Sequence, residues 1–418
     1  MKNDINGTVI ERARKDDVKF VNLWFTDFFG TIKSTTIPVE KLEEGLNRGI
    51  WFDGSSIEGF ARIHESDMIL MPDPSTYAIL PWRPRQKAVA RIICDIHTPE
   101  GKPFEGDPRY ILKRAIAEAR DIGFVYNTGP ECEFFLFKIN GEPTMEPVTH
   151  DFAGYFDFAP RDLASDVRRK IVFALEEMGL EIEMDHHEVA PGQHEIDFKY
   201  ADALTTADNT ITLKAATKAI AHSMDLHATF MPKPIFGQNG SGMHVNQSLF
   251  TLDGNTAFFS KNDKYNISET AKHFIAGQLK HVREIAAVID PTVNSYKRLV
   301  SGYEAPVYVC WANINRSSLI RIPRYSPGRE QSVRVELRCP DPSCNPYLAF
   351  AAMLRAGIHG IKDKTPLPAP VEEDVYNFSD EKLVQLNIGK LPSSLKEAID
   401  EFSRSELMKD TFGKNTFN

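Results

Sequence analysis

GPECEFFLF, residues 129–137, is the stretch on which the fold reading turns. In an extended chain successive side chains alternate sides, so Glu131, Glu133, Phe135 and Phe137 share a face. Carboxylates in line with aromatic rings point to a strand whose polar end faces an enclosed site. Three other stretches carry the same signal. HHEVAPGQHEIDF (186–198) puts Glu188 and Glu195 on either side of a Pro-Gly turn, as neighbours on a hairpin or bent strand pair. FGQNGSGMHVNQS (236–248) runs from a glycine loop into a strand with His244, Asn246 and Ser248 on one face. VRVELRCPDP (333–342) sets Arg334, Glu336 and Arg338 on one face and Val333, Val335 and Leu337 on the other.

Together these strands bring five glutamates and one histidine into one unit. Two ionised carboxylates ~4 Å apart repel by about 4 kcal/mol at an effective dielectric of ~20, so a converging set needs neutralising. Divalent cations do this, and hard oxygen donors with one imidazole suit Mg2+ or Mn2+. Paired divalent cations bridging phosphate oxygens are the apparatus of phosphoryl transfer. Arg298, Arg316, Arg321 and Arg338 fall nearby in the sequence, and guanidinium groups grip carboxylates and phosphates in bidentate fashion.

Further out, the chain divides by pattern. VKFVNLWFTDFFGTIKSTTIP (18–38) predicts two strands about a turn at Asp27 to Gly30, the start of a small β-rich unit reaching about residue 96. Asp107 then caps a helix opened by Pro108 and closed by Gly123. Helical periodicity recurs near 165–178, 206–227, 268–289 and 345–361, with apolar strands between, which predicts an α+β chain. The domains expected are 1–103 and 104–418, and the polar segment after about Pro366 is expected to form surface helices.

Bulk properties narrow the function. Of 418 residues, 49 are Lys or Arg and 58 are Asp or Glu, a formal charge of −9 with no long basic run, which argues against nucleic acid. The five cysteines form no C-x-x-C pair, and no stretch has the apolar length of a signal peptide or membrane span, so a cytoplasmic location away from membranes is expected.

These motifs, with FDGSSIEGF, NSYKRLVSGYEAP, NRSSLIRIP and VELRCPDPSCNPYLAFAAML, resemble glutamine synthetase of type I, in its short alpha subgroup, over residues 18–407. The resemblance implies a small N-terminal β-grasp domain followed by a large catalytic domain whose antiparallel sheet forms a funnel-like active site. It implies ATP-dependent condensation of glutamate with ammonia through a γ-glutamyl phosphate. Glu133, Glu188 and Glu195 would then hold one metal, and Glu131, His244 and Glu336 the other. Asn239, Gly240, Arg298, Glu304 and Arg338 would bind glutamate, while Asn246, Ser248, Arg316 and Arg321 would bind ATP. Asp53, delivered by a neighbouring subunit, would take a proton from ammonium, Glu304 would shield the acyl phosphate, and Arg316 would act on the transferring phosphoryl group. Arg62 matches an arginine linked to feedback inhibition by glutamine.

The sequence also departs from the pattern. Asn246 stands where the family usually has histidine, Ser301 replaces a proline before the flap, and the chain stops short of the helical tail by which type I rings are clasped. A homo-oligomer is expected, dodecamer or hexamer, and nitrogen-regulatory proteins are partners the family admits. Two other readings share these residues: a ligase that joins glutamate to another amine, and a regulatory relative without full activity.

Overall fold

The computed structural model describes residues 2–55, 57, 67–139, 147–303 and 305–417, with side chains from residue 5 onward. Arg62 and Glu304 lie outside the described residues. An N-terminal helix, α1 (Lys2–Lys15), which the sequence reading did not anticipate, precedes a sheet of β1 (Val18–Thr26), β2 (Ile32–Pro38), β3 (Ile50–Asp53), β4 (Asp67–Pro72), β5 (Ala78–Ile79) and β6 (Ala88–His97), with α2 (Leu42–Arg48) packed on β4. The strand order is β2-β1-β6-β4-β3, with β5 on β6. Only β1 and β6 run parallel among these pairs. Val21, Leu23, Leu70, Ala90, Ile92 and Ile96 form its interior, each 0 % exposed.

The larger unit has a ten-stranded sheet, in the order β16-β13-β14-β15-β12-β7-β9-β8, with β10 and β11 also paired to β7. Its strands are β7 (Phe124–Lys138), β8 (Ile182–His187), β9 (Gln193–Phe198), β10 (Ala201–Asp202), β11 (Leu226–Thr229), β12 (Met243–Thr251), β13 (Tyr308–Ala312), β14 (Ser318–Arg321), β15 (Val335–Leu337) and β16 (Gly389–Lys390). Pairing is antiparallel except between β13 and β14. Helices α3 (Pro108–Asp121), α4 (Ser165–Glu177), α5 (Ala203–His222), α6 (Glu269–Ile289), the short α7 (Ser295–Arg298) and α8 (Pro346–Asp363) pack with it, and α9 (Asp380–Gln385), α10 (Leu395–Phe402), α11 (Glu406–Phe412) and α12 (Lys414–Phe417) form the tail. On β7 the two faces separate cleanly. Cys132, Phe134 and Leu136 are buried with the helices, while the opposite face carries Glu131 and Glu133 and then Phe135 and Phe137, which stack at 5.9 Å against Ala190. Burying such rings is worth about 1.5–3 kcal/mol each, so β7 is held from both sides.

Local chemistry explains most element ends. The Asp107 carboxylate accepts from the Arg109 amide at the start of α3, Ser268 caps α6 and Asn345 caps α8. The helix expected over 206–227 ends sooner, at His222, because Asp225 takes a left-handed φ of 57° and the chain turns straight into β11. Helices of the tail are not purely superficial: Ala398, Met408 and Phe412 enter the main core.

Two contacts fix the small unit on the large one. At the β1–β2 turn Gly30 has a φ of 77°, and a Cβ there would lie 2.8 Å from the Asn345 Cα, so only glycine fits. Asn345 Nδ2 answers by donating to the carbonyls of Asp27 (3.1 Å) and Phe28 (3.2 Å). The buried Arg109 guanidinium of α3 reaches Asp73 (2.7 Å) and Asp95 (2.7 Å) of the small unit and Asp208 (2.9 Å) of α5. No helix among the described residues is long and apolar enough to cross a membrane.

Candidate active site

Strand register builds the site. Antiparallel pairing sets His244 of β12 opposite Glu131 of β7, Glu133 of β7 opposite Glu195 of β9, and Glu195 opposite His186 of β8. β15 lies against the other side of β12 and puts Glu336 opposite Asn246. Acid and imidazole groups therefore stack across five neighbouring strands on the face away from the helices. They line a cavity of about 430 Å³.

Two groups of donors emerge. Ligand atoms of Glu131, His244 and Glu336 lie within 4.8 Å of one another, and so do those of His186, Glu188 and Glu195. His244 Nδ1 is 3.3 Å from Glu131 and 3.8 Å from Glu336. His186 Nε2 is 2.9 Å from Glu188 and 4.0 Å from Glu195. Glu133 sits beside the second group, its Oε2 accepting from Gln193 Nε2 (2.8 Å) and the Gly242 amide (3.0 Å). Glu188 lies just past the end of β8, so the strand neighbour of Glu195 is His186 and not Glu188 as the hairpin reading expected.

Electrostatics sort the carboxyls. Burial drives Glu133 well above the carboxylate range, and the charge of Glu188 pushes the same way. Burial followed by the charges of Asp197 and Glu133 does the same to Glu195. Asp197, two residues along β9, is pushed up to about 7 by burial and by Glu131. Burial acts upward on Glu131 as well, yet the imidazole of His244 and the amide of Asn246 outweigh it and hold this carboxyl down at about 2. The chain has thus collected more acid than its own fixed cations neutralise. Carboxylate oxygens with one imidazole per group are the donor set of a hard divalent cation, and the raised carboxyls have room to trade a proton for one.

The arginines are already engaged. Arg321 donates to Glu336 Oε2 (2.8 Å) and Arg338 Nε to Glu336 Oε1 (3.1 Å), while another Arg338 N–H reaches the Arg316 carbonyl. Arg298 donates to the carbonyls of Cys339 (2.5 Å) and Arg338 (3.1 Å), which locks its guanidinium against the glycine loop. A Cβ at Gly242 would meet an Arg298 nitrogen at 2.6 Å, and one at Gly240 would meet the Pro232 carbonyl at 2.4 Å. The bare backbone of this loop therefore answers to the chain's own packing. Asn246 donates to Glu131 Oε1 (2.9 Å) and accepts from Arg334 Nε (2.8 Å), bridging a donor group to an arginine.

Of the residues singled out in the sequence, Glu131, Glu133, Glu188, Glu195, Asn239, Gly240, His244, Arg298, Arg316, Arg321, Glu336 and Arg338 line this cavity. Asn246 reaches it through Glu131. Ser248, one alternation further along β12, is buried and outside the lining, and Asp53 is on β3 of the small unit, exposed and bonded to the Ser55 amide at 2.9 Å. Sequence reasoning missed His186, Gln193, Asp197 and the aromatic walls Tyr155, Phe156 and Tyr303. Alternation would have found two of them, since His186 shares parity with Glu188, and Asp197 with Glu195.

Comparison with known proteins shows the family of the chain. A sequence profile described as "Glutamine synthetase, catalytic domain" matches residues 105–418, and one described as "Glutamine synthetase, beta-Grasp domain" matches residues 17–99. A glutamine synthetase of Methanosarcina mazei is 56 % identical over 412 residues, covering 98 % of this chain and 91 % of the relative. One from Clostridium saccharobutylicum is 53 % identical over 409 residues, covering 98 % and 91 %. Among solved structures, a GmaS/ADP complex superposes with a TM-score of 0.87 at 31 % identity, over 98 % of this chain and 93 % of the other. A β-grasp unit fixed to a ten-stranded catalytic unit accords with these matches, and the chain belongs to the type I glutamine synthetases, ATP-dependent glutamate ligases.

Proposed function

We propose that this chain condenses L-glutamate with ammonia, using ATP, to form L-glutamine, ADP and inorganic phosphate. The observation that carries the reading is the pair of donor groups, Glu131–His244–Glu336 and His186–Glu188–Glu195, in one cavity with four arginines. Family membership implies a divalent metal and ATP, and we assign Mg2+ or Mn2+ from the oxygen-rich donors. Glu131, His244 and Glu336 would hold one ion, and Glu133, Glu188 and Glu195 the other, with His186 beside them. Such ions supply charge neutralisation for phosphate oxygens when bound.

Every other role falls to the chain. Asn239 and Gly240 present backbone to glutamate, and Arg298 and Arg338 orient its carboxylates. Arg316 and Arg321 offset the charge of the transferring phosphoryl group, and Asn246 and Ser248 belong to the nucleotide side. The γ-carboxylate of glutamate displaces ADP from the γ-phosphorus, and ammonia then displaces phosphate from the acyl carbon. Asp53 of a neighbouring subunit receives the proton lost by ammonium, and Glu304 covers the acyl phosphate against water. In support, Asp53 and Trp51 are both exposed on β3, an edge strand, as a docking surface requires, and Phe29, Phe152, Phe158 and Phe236 are exposed apolar groups that an oligomer would cover. We assign the assembly to a hexamer or dodecamer, the location to the cytoplasm, where the five unpaired cysteines suit reducing conditions, and feedback sensing of glutamine to Arg62.

The test is ATP-dependent product formation from glutamate with ammonia and with a panel of primary amines. Ammonia should give the highest kcat/KM; a primary amine preferred by tenfold would replace this reading with that of a glutamate–amine ligase.

A further inference from the structure

A third set of metal-ligand residue types, Asp151, His187 and His194, lies behind the cavity, with exposures of 2 %, 1 % and 0 %. Its hydrogen bonds speak against an ion there. Asp151 Oδ1 accepts from the Gly192 amide (3.0 Å) and stands 3.0 Å from His187 Nε2, while Oδ2 accepts from the Leu163 amide (3.2 Å). An Arg168 N–H points at His194 Nδ1 from 3.0 Å and takes that lone pair, and the guanidinium charge beside the ring opposes a cation at its other nitrogen. The same guanidinium bonds Asp162 (2.8 Å) and Asp185 (2.5 Å). This is a buried charge network that carries its own cation.

Its output is directed at the site. His187 Nδ1 lies 2.6 Å from the carbonyl oxygen of Glu188, and the Glu188 amide donates to the Gln193 carbonyl at 2.8 Å. Glu188 stands beyond the last residue of β8, where the strand ladder no longer fixes it, yet both of its main-chain groups are tied down. The carboxylate is aimed accordingly: Oε1 faces His186 Nε2 at 2.9 Å and Oε2 accepts from the Val189 amide at 2.9 Å. The network also anchors the segment between Asp151 and Asp162. That segment bonds to His187 through the Phe156 amide (3.0 Å) and lays Tyr155 and Phe156 against the His186 ring at 5.6 and 4.7 Å.

We propose that Asp151 and His187 are positioning residues: the buried Asp151–His187 pair holds the Glu188 carbonyl, and through it keeps the Glu188 carboxylate in register with His186 and Glu195. This rests on the reading of Glu188 as a metal ligand. Residues that orient ligands from behind are typically worth about 10- to 100-fold in metal affinity. A pair that served stability alone would change melting temperature and leave metal affinity where it was.

The experiment measures Mn2+ binding to metal-stripped full-length protein by the EPR signal of the free ion, together with melting temperature without metal, for His187→Gln, Asp151→Asn and Glu188→Gln. The expected result is one Mn2+ site weakened about tenfold or more in His187→Gln and by a smaller factor in Asp151→Asn, which keeps an acceptor oxygen, with the other site unchanged. Glu188→Gln should weaken that same site. Mn2+ binding within twofold of native in His187→Gln and Asp151→Asn, beside a weakened Glu188→Gln, overturns the positioning role alone. Native binding in Glu188→Gln overturns the ligand reading, and the positioning role with it. If His187→Gln does not fold, Asp151→Asn decides by the same criterion.

Discussion

Two buried clusters of acid in this molecule are solved in opposite ways. Around Arg109, the carboxylates of Asp73, Asp95 and Asp208 each receive a guanidinium N–H, Lys113 adds a bond to Asp95 at 2.6 Å, and the Tyr347 hydroxyl donates to Asp208 at 2.6 Å. Cation and donors are built in, so the cluster is complete without any ligand and joins the two units. In the cavity, burial comes first in pushing Glu133, Glu195 and Asp197 upward, followed by neighbouring carboxylates: Glu188 on Glu133, Asp197 and Glu133 on Glu195, and Glu131 on Asp197. Among the described residues no arginine bonds to Glu133 or Glu195; the cavity's guanidinium groups go to Glu336 and to backbone carbonyls. The difference teaches that buried acid by itself marks no site. What marks it is acid that the fold leaves without a fixed cation.

That contrast can be broken most forcefully at Glu195. Glu195→Gln should lower kcat by on the order of 10³-fold, equivalent to ~4 kcal/mol of lost stabilisation by a metal-held group. The metal-free variant should melt higher than the metal-free native protein, since a neutral amide replaces a carboxyl whose charge burial and its acidic neighbours oppose. Arg109→Met should do the reverse, removing about 3–5 kcal/mol of stability by stranding three aspartates. A denaturant titration measures this, and specific activity per folded oligomer should stay near native.

The next effect is one of pH. A carboxyl whose pKa is raised on folding binds its proton in the native state over a range where the unfolded chain has lost it, so stability falls as pH rises. For Asp197 the range runs from 3.8 to about 7. The melting temperature of the metal-free protein should decline across it, Mn2+ should restore it near pH 7, and Asp197→Asn should flatten the decline. A smaller effect is expected at Asn246, where the amide bridges Glu131 and Arg334. A histidine there can carry positive charge toward nucleotide phosphates, so Asn246→His should lower the KM for ATP by up to about tenfold, and an unchanged KM would remove that role.

The elements of the site were legible where the signal is local. Alternation placed Glu131 with Glu133, and His244 with Asn246, on shared faces, and both strands appear with those faces turned to one cavity. Register was not legible, because it depends on partners far along the chain. Nothing local to Glu131 says that His244 lies opposite it, nor that His186, in place of Glu188, lies opposite Glu195. The Asp151–His187 bond spans 36 positions and carries no periodic signature. In the fold, capping residues marked α3 well, but α5 ended early at a left-handed aspartate that periodicity does not see, and α1 was too polar to stand out.

The central claim is that this cavity is reserved for exogenous divalent cations, and titrating metal-stripped protein with Mn2+ tests it most directly. The account predicts two sites per chain, matching the two donor groups, with protons released from the raised carboxyls as the ions enter. Failure to bind Mn2+ without loss of fold, or ATP-dependent glutamine formation at full rate under a strong chelator, would contradict it.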